Sequence, residues 1–369
     1  MMTHPGDRDK LESPKYNRPK ENQMKSVLVT GVGTVGVEEV ASPTITPADV
    51  LVRIRACGIC GSDSFYISIG GIPPRQHCTP LGHEPAGEIV EVGSEVIGFA
   101  VGDHVVINPI AEGSGLIGSG GPQGALSEFL VVSDAEAGKN LAKISPEVPW
   151  EVAALNEPMA VARHAVNRTS PSHGDKVVVF GAGPIGLGAV IGYKLSGVEH
   201  VVVVDIIPSR LEKALAVGAD AVIDSRTEDV GARLLELHGP GTTAMGRPRV
   251  GTDIYLDAAG VTSVVDTVVA NAKQFATLGI VAVHKKPVPV DFGALLGAEI
   301  TIVTAMGYPN EIFQITDEIS EHWERFAVIV SHTFDFADVR EALTTAGTPG
   351  AADKVVVTFP KTIDLAASL

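Results

Sequence analysis

The segment from Lys176 to Asp205 constrains the fold more than any other part of this chain. It opens on a short apolar run with the length and β-branched composition of a buried parallel strand. Three glycines in G-x-G-x-x-G spacing follow, Gly181, Gly183 and Gly186, and then an apolar segment long enough for a helix. A second β-rich run ends at Asp205. This order predicts a βαβ unit that binds a dinucleotide.

Each position in that unit has a physical role. The first glycine allows the tight turn, the second lets backbone approach a pyrophosphate, and the third lets the helix pack closely. The helix N-terminus, which begins with Pro184 and Ile185, supplies N–H groups and a partial positive charge to the phosphates. Asp205, at the end of the second strand, can accept from ribose hydroxyls but repels a 2′-phosphate, so it favours NAD over NADP. Arg210 is a further candidate for cofactor binding. The alternative is a glycine-rich turn in an ordinary α/β domain.

Composition narrows the class of protein. At 369 residues the chain is long for one core, so two domains are expected. A net charge of −16 argues against nucleic acid or an anionic membrane surface as a partner. No apolar run is long enough for a membrane span, and no signal-peptide pattern opens the chain. The three cysteines, too few for a disulfide framework, indicate a reducing compartment and a cytoplasmic location.

The order of patterns predicts how the domains are arranged. Residues 1–23 are polar and proline-bearing, which is typical of a disordered extension. Residues 24–170 read mainly as short strands and turns of a β-barrel-like domain. Residues 171–307 alternate strands and helices, as in a doubly wound parallel sheet, although 239–250 reads as a surface loop. Residues 308–369 return to the first domain, so the nucleotide-binding domain is inserted in it.

A second glycine pattern carries no such prediction. Gly31, Gly33 and Gly36 have the same spacing, but the residues that follow are β-branched and interrupted by Pro43 and Pro47. No helix can form there, so no phosphate site is expected. We interpret this segment as a β-turn.

The cysteines point to metal chemistry. Cys57 and Cys60 form a C-x-x-C pair, which by itself fits half of a structural zinc site, a redox pair or coincidence. No cysteine follows Cys78, so a four-cysteine site is excluded, and the surrounding pattern of strand and turn does not favour a redox pair. An open catalytic zinc site needs three protein ligands. Cys60 and His83 are candidates, with Glu84 or Glu157 as the carboxylate. A hydrogen-bonded turn histidine and a helix-terminus glutamate are the structural alternatives.

These segments together resemble the zinc-dependent medium-chain alcohol dehydrogenases, and among them the polyol type: sorbitol, butanediol and threonine dehydrogenases. The resemblance runs from about Met24 to the C-terminus, and the motifs occur in the family's order. They are CGICGSD (57–63), GHEPAGEIVEVGSEV (82–96), NEPMAVARHAV (156–166) and the glycine fingerprint. The resemblance implies a GroES-like β-barrel catalytic domain with an inserted Rossmann domain, and a site in the cleft between them.

The resemblance also implies roles for individual residues. Cys60 and His83 match the first two zinc ligands, whereas Cys57 matches no ligand. Glu157 matches the third ligand, and Glu84 follows the histidine in a motif whose glutamate can approach the zinc, so either carboxylate can complete the set. Cys60, Ser62, His83 and Glu157 are therefore the predicted catalytic residues. Ser62 matches the hydroxyl that binds the substrate oxygen, and Asp63 an acid that orients the histidine.

Three departures from the family pattern refine this expectation. The family's relay histidine, three residues after the hydroxyl, is here Phe65. The region 107–124 lacks the four cysteines of a structural zinc lobe, so one catalytic zinc per chain is expected. The arginine that contacts sugar alcohols is absent from 304–310, which weakens sorbitol as a substrate.

The predicted function is zinc-dependent hydride transfer between a secondary alcohol or polyol, or its ketone, and NAD, by a homodimer or homotetramer. A zinc-free quinone or enone reductase of the same fold and a non-catalytic nucleotide-binding protein are the alternatives.

Overall fold

The computed structural model describes residues 23–360. The predicted disordered extension, apart from Gln23, lies outside the described residues, and so do residues 361–369. Within the described range the chain forms two large sheets and two small ones, with helices packed on them.

The first part of the chain is mainly β-structure. Its strands are β1 (Gln23–Gly31), β2 (Thr34–Ala41), β3 (Val50–Gly58), β4 (Thr79–Pro80), β5 (Glu84–Val92), β6 (His104–Ile107), β7 (Phe129–Val132) and β8 (Leu141–Lys143). Its helices are α1 (Gly61–Ile69), α2 (Trp150–Ala153) and α3 (Asn156–Arg168).

The middle of the chain alternates strands and helices. Its strands are β9 (Lys176–Phe180), β10 (His200–Asp205), β11 (Ala221–Asp224), β12 (Pro240–Thr242), β13 (Pro248–Val250), β14 (Ile254–Asp257), β15 (Thr277–Ile280) and β16 (Thr301–Thr304). Its helices are α4 (Pro184–Leu195), α5 (Pro208–Ala216), α6 (Val230–His238), α7 (Thr262–Asn271) and α8 (Phe292–Ala298). The remainder forms α9 (Gln314–Ala327), β17 (His332–Asp335), α10 (Val339–Gly347) and β18 (Val355–Thr358).

The six parallel strands of the middle part lie in the order β11-β10-β9-β14-β15-β16. They read as near-continuous apolar runs because a parallel sheet is covered on both faces. The order reverses between β9 and β14, and ligands of such sheets bind at that switch point, beyond the carboxyl ends of the strands. The predicted doubly wound Rossmann sheet is confirmed.

The last strands return to the first sheet. Its strand order is β17-β18-β3-β5-β6-β8, with β7 also pairing with β3. β18 pairs antiparallel with β3, and this places residues more than 290 positions apart side by side. Helix α9 packs against α2 and α3 of the first part of the chain and against α4 of the middle part. The first large sheet is thus built from an interrupted stretch of chain, and the parallel sheet from a continuous one.

Local structure departs from the sequence patterns at three places. The segment after Cys60 is a helix, α1, not strand and turn. Residues 239–250 hold a two-stranded hairpin, β12 and β13, rather than a loop. The segment 292–298 forms α8, whose first turn is capped by the side chain of Asp291. None of the helices within residues 23–360 is long and apolar enough to cross a membrane.

The buried side chain of His238 is expected to make the stability of the Rossmann domain depend on pH. His238 ends α6 and is 2% exposed, with Nδ1 2.8 Å from Thr252 Oγ1 and Nε2 3.2 Å from His200 Nδ1. Burial, with the nearby charges of His200 and Lys176, lowers the pKa of His238 to about 4. The imidazole therefore stays neutral in the folded protein at neutral pH.

We expect the free energy of unfolding to fall as the pH drops from 6.5 towards 4. In that window the unfolded chain binds a proton at residue 238 and the folded chain does not, which costs up to about 3 kcal/mol. Urea unfolding at several pH values will measure this. His238→Gln keeps a polar side chain but does not titrate, so its unfolding energy should fall less over the same window. Equal slopes in the two proteins would contradict the expectation.

Candidate active site

The first part of the candidate site is the N-terminus of α1. Cys60 is the N-cap of this helix, with an extended backbone, and so its thiol lies where the helix dipole favours negative charge. Asp63, in the first turn, accepts from the Cys60 backbone N–H through Oδ2 at 2.9 Å. This is the side-chain half of a capping box, and it fixes the start of the helix.

Asp63 also connects α1 to the loop that carries His83. Its side chain is fully buried, and Oδ1 accepts from the Gly82 N–H at 3.3 Å and lies 3.6 Å from His83 Nδ1. Burial opposes a charge on His83, but attraction to the Asp63 carboxylate, with a further contribution from Cys60, raises its pKa well above the ordinary value. Because Asp63 faces Nδ1, Nε2 is left to face the site, as the orienting role predicted for Asp63 requires.

Three potential ligand side chains converge beside Ser62. One ligand atom from each of Cys60, His83 and Glu84 lies within 4.8 Å of the other two. Ser62 Oγ is 3.4 Å from His83 Nε2. Within residues 23–360, Glu84 Oε1 has no hydrogen-bond partner although it is buried. A buried oxygen without a partner is costly, and sulfur, nitrogen and oxygen donors in this set fit zinc.

The other oxygen of Glu84 binds a lysine that sequence patterns did not single out. Lys354, directly before β18, forms a short ion pair with Glu84 Oε2 and donates to the Ile59 carbonyl at 3.0 Å. Both side chains are almost fully buried. Gly58 makes room for them, because a Cβ there would lie 1.8 Å from Glu84 Oε2. Lys354 thus holds one oxygen of Glu84 and leaves the second directed elsewhere.

Glu157 lies beside this cluster rather than within it. It occupies the first turn of α3, which begins at Asn156. Burial raises the pKa of the Glu157 carboxyl to about 7, and repulsion from Glu84 adds to the rise, against opposing effects of His83, Tyr308 and Lys354. Tyr308 is buried, and its hydroxyl is among the groups that influence the Glu157 carboxyl. No local pattern marks Tyr308, which follows β16 in a loop.

Cys57 is placed as a structural residue. It is fully buried in the core of the first sheet, and its thiol lies 3.4 Å from the Gly58 carbonyl. Burial raises the pKa of this thiol, so it remains protonated. Phe65, at the position of the family's relay histidine, is 58% exposed and has no group that could carry a proton.

The glycine fingerprint has the geometry of a dinucleotide loop. Gly181 has a positive φ of 95° and packs against the backbone at Ala258. A Cβ on Gly186 would lie 1.8 Å from the Gly181 carbonyl oxygen, so only glycine fits there. Gly183, the N-cap of α4, faces open space, with nothing within 4 Å of its absent Cβ. This open N-terminus, with Pro184 and Ile185 in its first turn, fits a pyrophosphate.

Asp205 and Arg210 each have protein partners. Asp205 Oδ2 accepts from the Ala182 N–H in the glycine loop at 2.6 Å, and Oδ1 accepts from two N–H groups of the turn after β10. Arg210, on α5, donates from Nε to Asp353 Oδ1 at 2.7 Å. The carboxylate of Asp205 therefore lies beside the glycine loop, whereas the guanidinium of Arg210 is held by the first domain.

Comparison with known proteins gives the chain clear relatives. The family model for the alcohol dehydrogenase GroES-like domain matches residues 46–144, and that for the zinc-binding dehydrogenase matches 184–321. The chain is 32% identical over 301 residues to (R,R)-butanediol dehydrogenase of Bacillus subtilis, covering 76% of this chain and 83% of the relative. It is 29% identical over 350 residues to sorbitol dehydrogenase of Bombyx mori, covering 90% and 97%. A solved alcohol dehydrogenase from Escherichia coli CFT073, complexed with NADH, superposes with a TM-score of 0.79 at 28% identity, covering 92% and 100%.

Proposed function

This chain belongs to the zinc-binding dehydrogenases that carry an alcohol dehydrogenase GroES-like domain, and we propose that it transfers a hydride between a secondary alcohol or polyol, or its ketone, and NAD. The observation that carries the proposal is the convergence of Cys60, His83 and Glu84 beside Ser62. The relatives act on butanediol and sorbitol by name. A vicinal diol is therefore the first substrate to test.

The two halves of the proposed reaction are joined by packing. Helix α3 carries Glu157 in its first turn and packs along α4, the helix that follows the glycine loop. The thioether of Met159 on α3 approaches Gly188 on α4, where a Cβ would lie 2.6 Å from the sulfur. This close contact fixes Glu157, which lies beside the ligand cluster, relative to the dinucleotide loop, and such positioning is what hydride transfer needs.

We propose Cys60, His83 and one carboxylate as the zinc ligands, with Glu84 favoured over Glu157 because Glu84 lies within the cluster. A zinc ion held there would supply a Lewis acid that makes an alcohol hydroxyl more acidic. Ser62 Oγ, beside His83 Nε2, is placed to accept the hydroxyl proton of the substrate. Ser62 is only half-buried, so the proton can pass directly to water without the missing relay histidine.

The finer features of the proposal rest on further observations. One zinc per chain is supported by the region 107–124, which holds no cysteine and whose buried Glu112 accepts from the Ser114 and Ser133 N–H groups. This carboxylate orders the loop through hydrogen bonds. NAD, bound by residues including Gly181, Gly183, Gly186 and Asp205, is supported by the acid at the end of β10. A cytoplasmic homodimer or homotetramer is proposed from the free cysteines and the resemblance to oligomeric dehydrogenases.

The proposal is tested by metal analysis and turnover together. We expect about one zinc per chain and NAD-dependent oxidation of at least one secondary alcohol, followed by NADH absorbance over a panel of diols, polyols and simple alcohols. Protein without zinc that reduces enones with NADPH would favour the zinc-free reductase. Protein that binds zinc and NAD but oxidises no alcohol would favour a non-catalytic role.

A further inference from the structure

Two cationic side chains lie near the position expected for the adenosine end of the dinucleotide, and a single carboxylate forms ion pairs with both. Arg210 and Lys213 lie three residues apart on α5, and so on one face of it. Arg210 Nε is 2.7 Å from Asp353 Oδ1, and Lys213 Nζ is 2.6 Å from Asp353 Oδ2. Asp353 belongs to the loop before β18, in the first domain, so the contact crosses between domains.

The position of α5 places these cations next to the ribose site. The helix begins three residues after Asp205, and the Arg210 backbone N–H donates to the Ile207 carbonyl of the connecting turn. The 2′-oxygen of an adenosine ribose would lie opposite the Asp205 carboxylate. A cation reaching from the first turn of α5 would therefore meet a 2′-phosphate, which is the group that distinguishes NADP from NAD.

The surroundings of Asp353 keep its carboxylate paired with these two cations. Its side chain is 15% exposed, and those of Arg210 and Lys213 are 22% and 23% exposed, so solvent screens the pairs only partly. Burial opposes ionisation of Asp353, yet the bonds from Lys213 and Arg210 lower its pKa below the ordinary value. Its backbone N–H donates to Ser331 Oγ at 2.9 Å, which fixes the loop. The acid is thus charged and held in place.

A third cation in this part of the structure is also paired. Arg226 follows β11 and donates from Nε and Nη2 to Asp224, at 3.1 and 2.8 Å. Asp224 is the direct neighbour of Asp205 across the β10–β11 pair. The cations named here, at the carboxyl edge of β10 and β11, therefore each face a carboxylate of the protein itself.

We infer that Asp353 is a specificity-determining residue that excludes NADP by holding Arg210 and Lys213 away from a 2′-phosphate. The inference rests on the proposed binding of NAD. Discrimination then has two parts: Asp205 repels the extra phosphate, and Asp353 removes the cations that would attract it. Removing Asp205 alone abolishes the repulsion of a 2′-phosphate, but Arg210 and Lys213 stay paired with Asp353 and cannot bind that phosphate.

The test is a double-mutant cycle on binding. NADH and NADPH affinities are measured by fluorescence titration at fixed ionic strength for the wild type, Asp205→Ser, Asp353→Asn and the double variant. We expect the gain in NADPH affinity of the double variant to exceed the product of the single gains by about tenfold, as charge-assisted bonds to phosphate form. Adding Arg210→Gln and Lys213→Gln to the double variant should abolish that gain.

The matched control is Asp220→Asn. Asp220 holds Lys194 in a similar pair, at 2.9 Å, but lies just before β11, at the opposite edge of the sheet. It should leave the ratio of the two affinities unchanged. Thermal melting checks each variant, and Asp353→Ser replaces Asp353→Asn if the asparagine variant is not folded.

The outcomes separate this inference from the proposed function. If the double variant gains no more than the product of the single variants, or keeps its gain without Arg210 and Lys213, the inference is overturned while NADH binding stands. A folded wild-type protein that binds neither dinucleotide would refute the proposed function itself.

Discussion

Replacing Cys60 with alanine is expected to lower alcohol oxidation by on the order of 10³-fold or more, because a Lewis acid contributes several kcal/mol to such a reaction. The variant should lose its zinc. NADH affinity should persist, since the glycine loop belongs to the separate six-stranded sheet. Metal analysis, NADH fluorescence titration and steady-state rates measure the three properties on one preparation.

The other two cysteines of the chain provide the controls for this substitution. Cys78 is exposed, and Cys57 is a buried residue that is not one of the three converging ligand side chains, so Cys78→Ala should retain zinc, activity and stability. Cys57→Ala should retain zinc, with some loss of stability from the small cavity. A Cys60→Ala protein that keeps one zinc per chain would show that the thiolate is not a ligand. Loss of NADH affinity would show that the two domains are not independent in folding.

Replacing Lys354 with methionine is expected to lower the free energy of unfolding by about 3–5 kcal/mol, the usual cost of leaving a buried charge without its partner. The substitution preserves the length and packing of the side chain, but it removes the cation from the fully enclosed Glu84 carboxylate. Urea unfolding with a chelator present measures the effect without a contribution from metal.

A second substitution distinguishes charge from packing. Lys354→Met combined with Glu84→Gln should recover part of the lost stability, since the amide is neutral. Lys139→Met is the surface control: Lys139 pairs with Glu136, both are exposed, and the midpoint should hardly move. If Lys354→Met unfolds at the same urea concentration as the wild type, the Glu84–Lys354 pair does not support the site.

The fingerprint and the alternation of the middle part could be predicted from sequence because their signals are local. Strand, glycine turn and helix follow one another within thirty residues, as β9, the glycine loop and α4 do. The hairpin at 240–250 could not be predicted in this way, since both strands are only three residues long.

Helix α1 shows a different kind of difficulty. Its residues include aromatic and β-branched side chains that are poor helix formers, so its composition favours strand. The available signal was the spacing of Cys60 and Asp63, which is that of a capping box with cysteine as N-cap. Recognising it would have placed the thiol at a helix N-terminus.

Contacts between distant residues explain what the sequence could not show about the site. Cys60, His83 and Glu84 lie within 25 positions, and their convergence could be predicted from ligand chemistry and family resemblance. Lys354 and Tyr308 reach the site only through the return of β18 to β3 and the loop after β16. No local pattern in the sequence indicates such a contact. The choice between Glu84 and Glu157 likewise depends on tertiary geometry.

The return of β18 to β3 has a consequence for biosynthesis. During translation Glu84 emerges from the ribosome about 270 residues before Lys354, with the whole nucleotide-binding domain between them. The first sheet of the nascent chain therefore stays incomplete, and Glu84 lacks its counter-charge, until the inserted domain has been synthesised. That domain can fold first. Nascent chains stalled before residue 354 should therefore bind dinucleotide yet remain sensitive to protease in the region around β3 and β5.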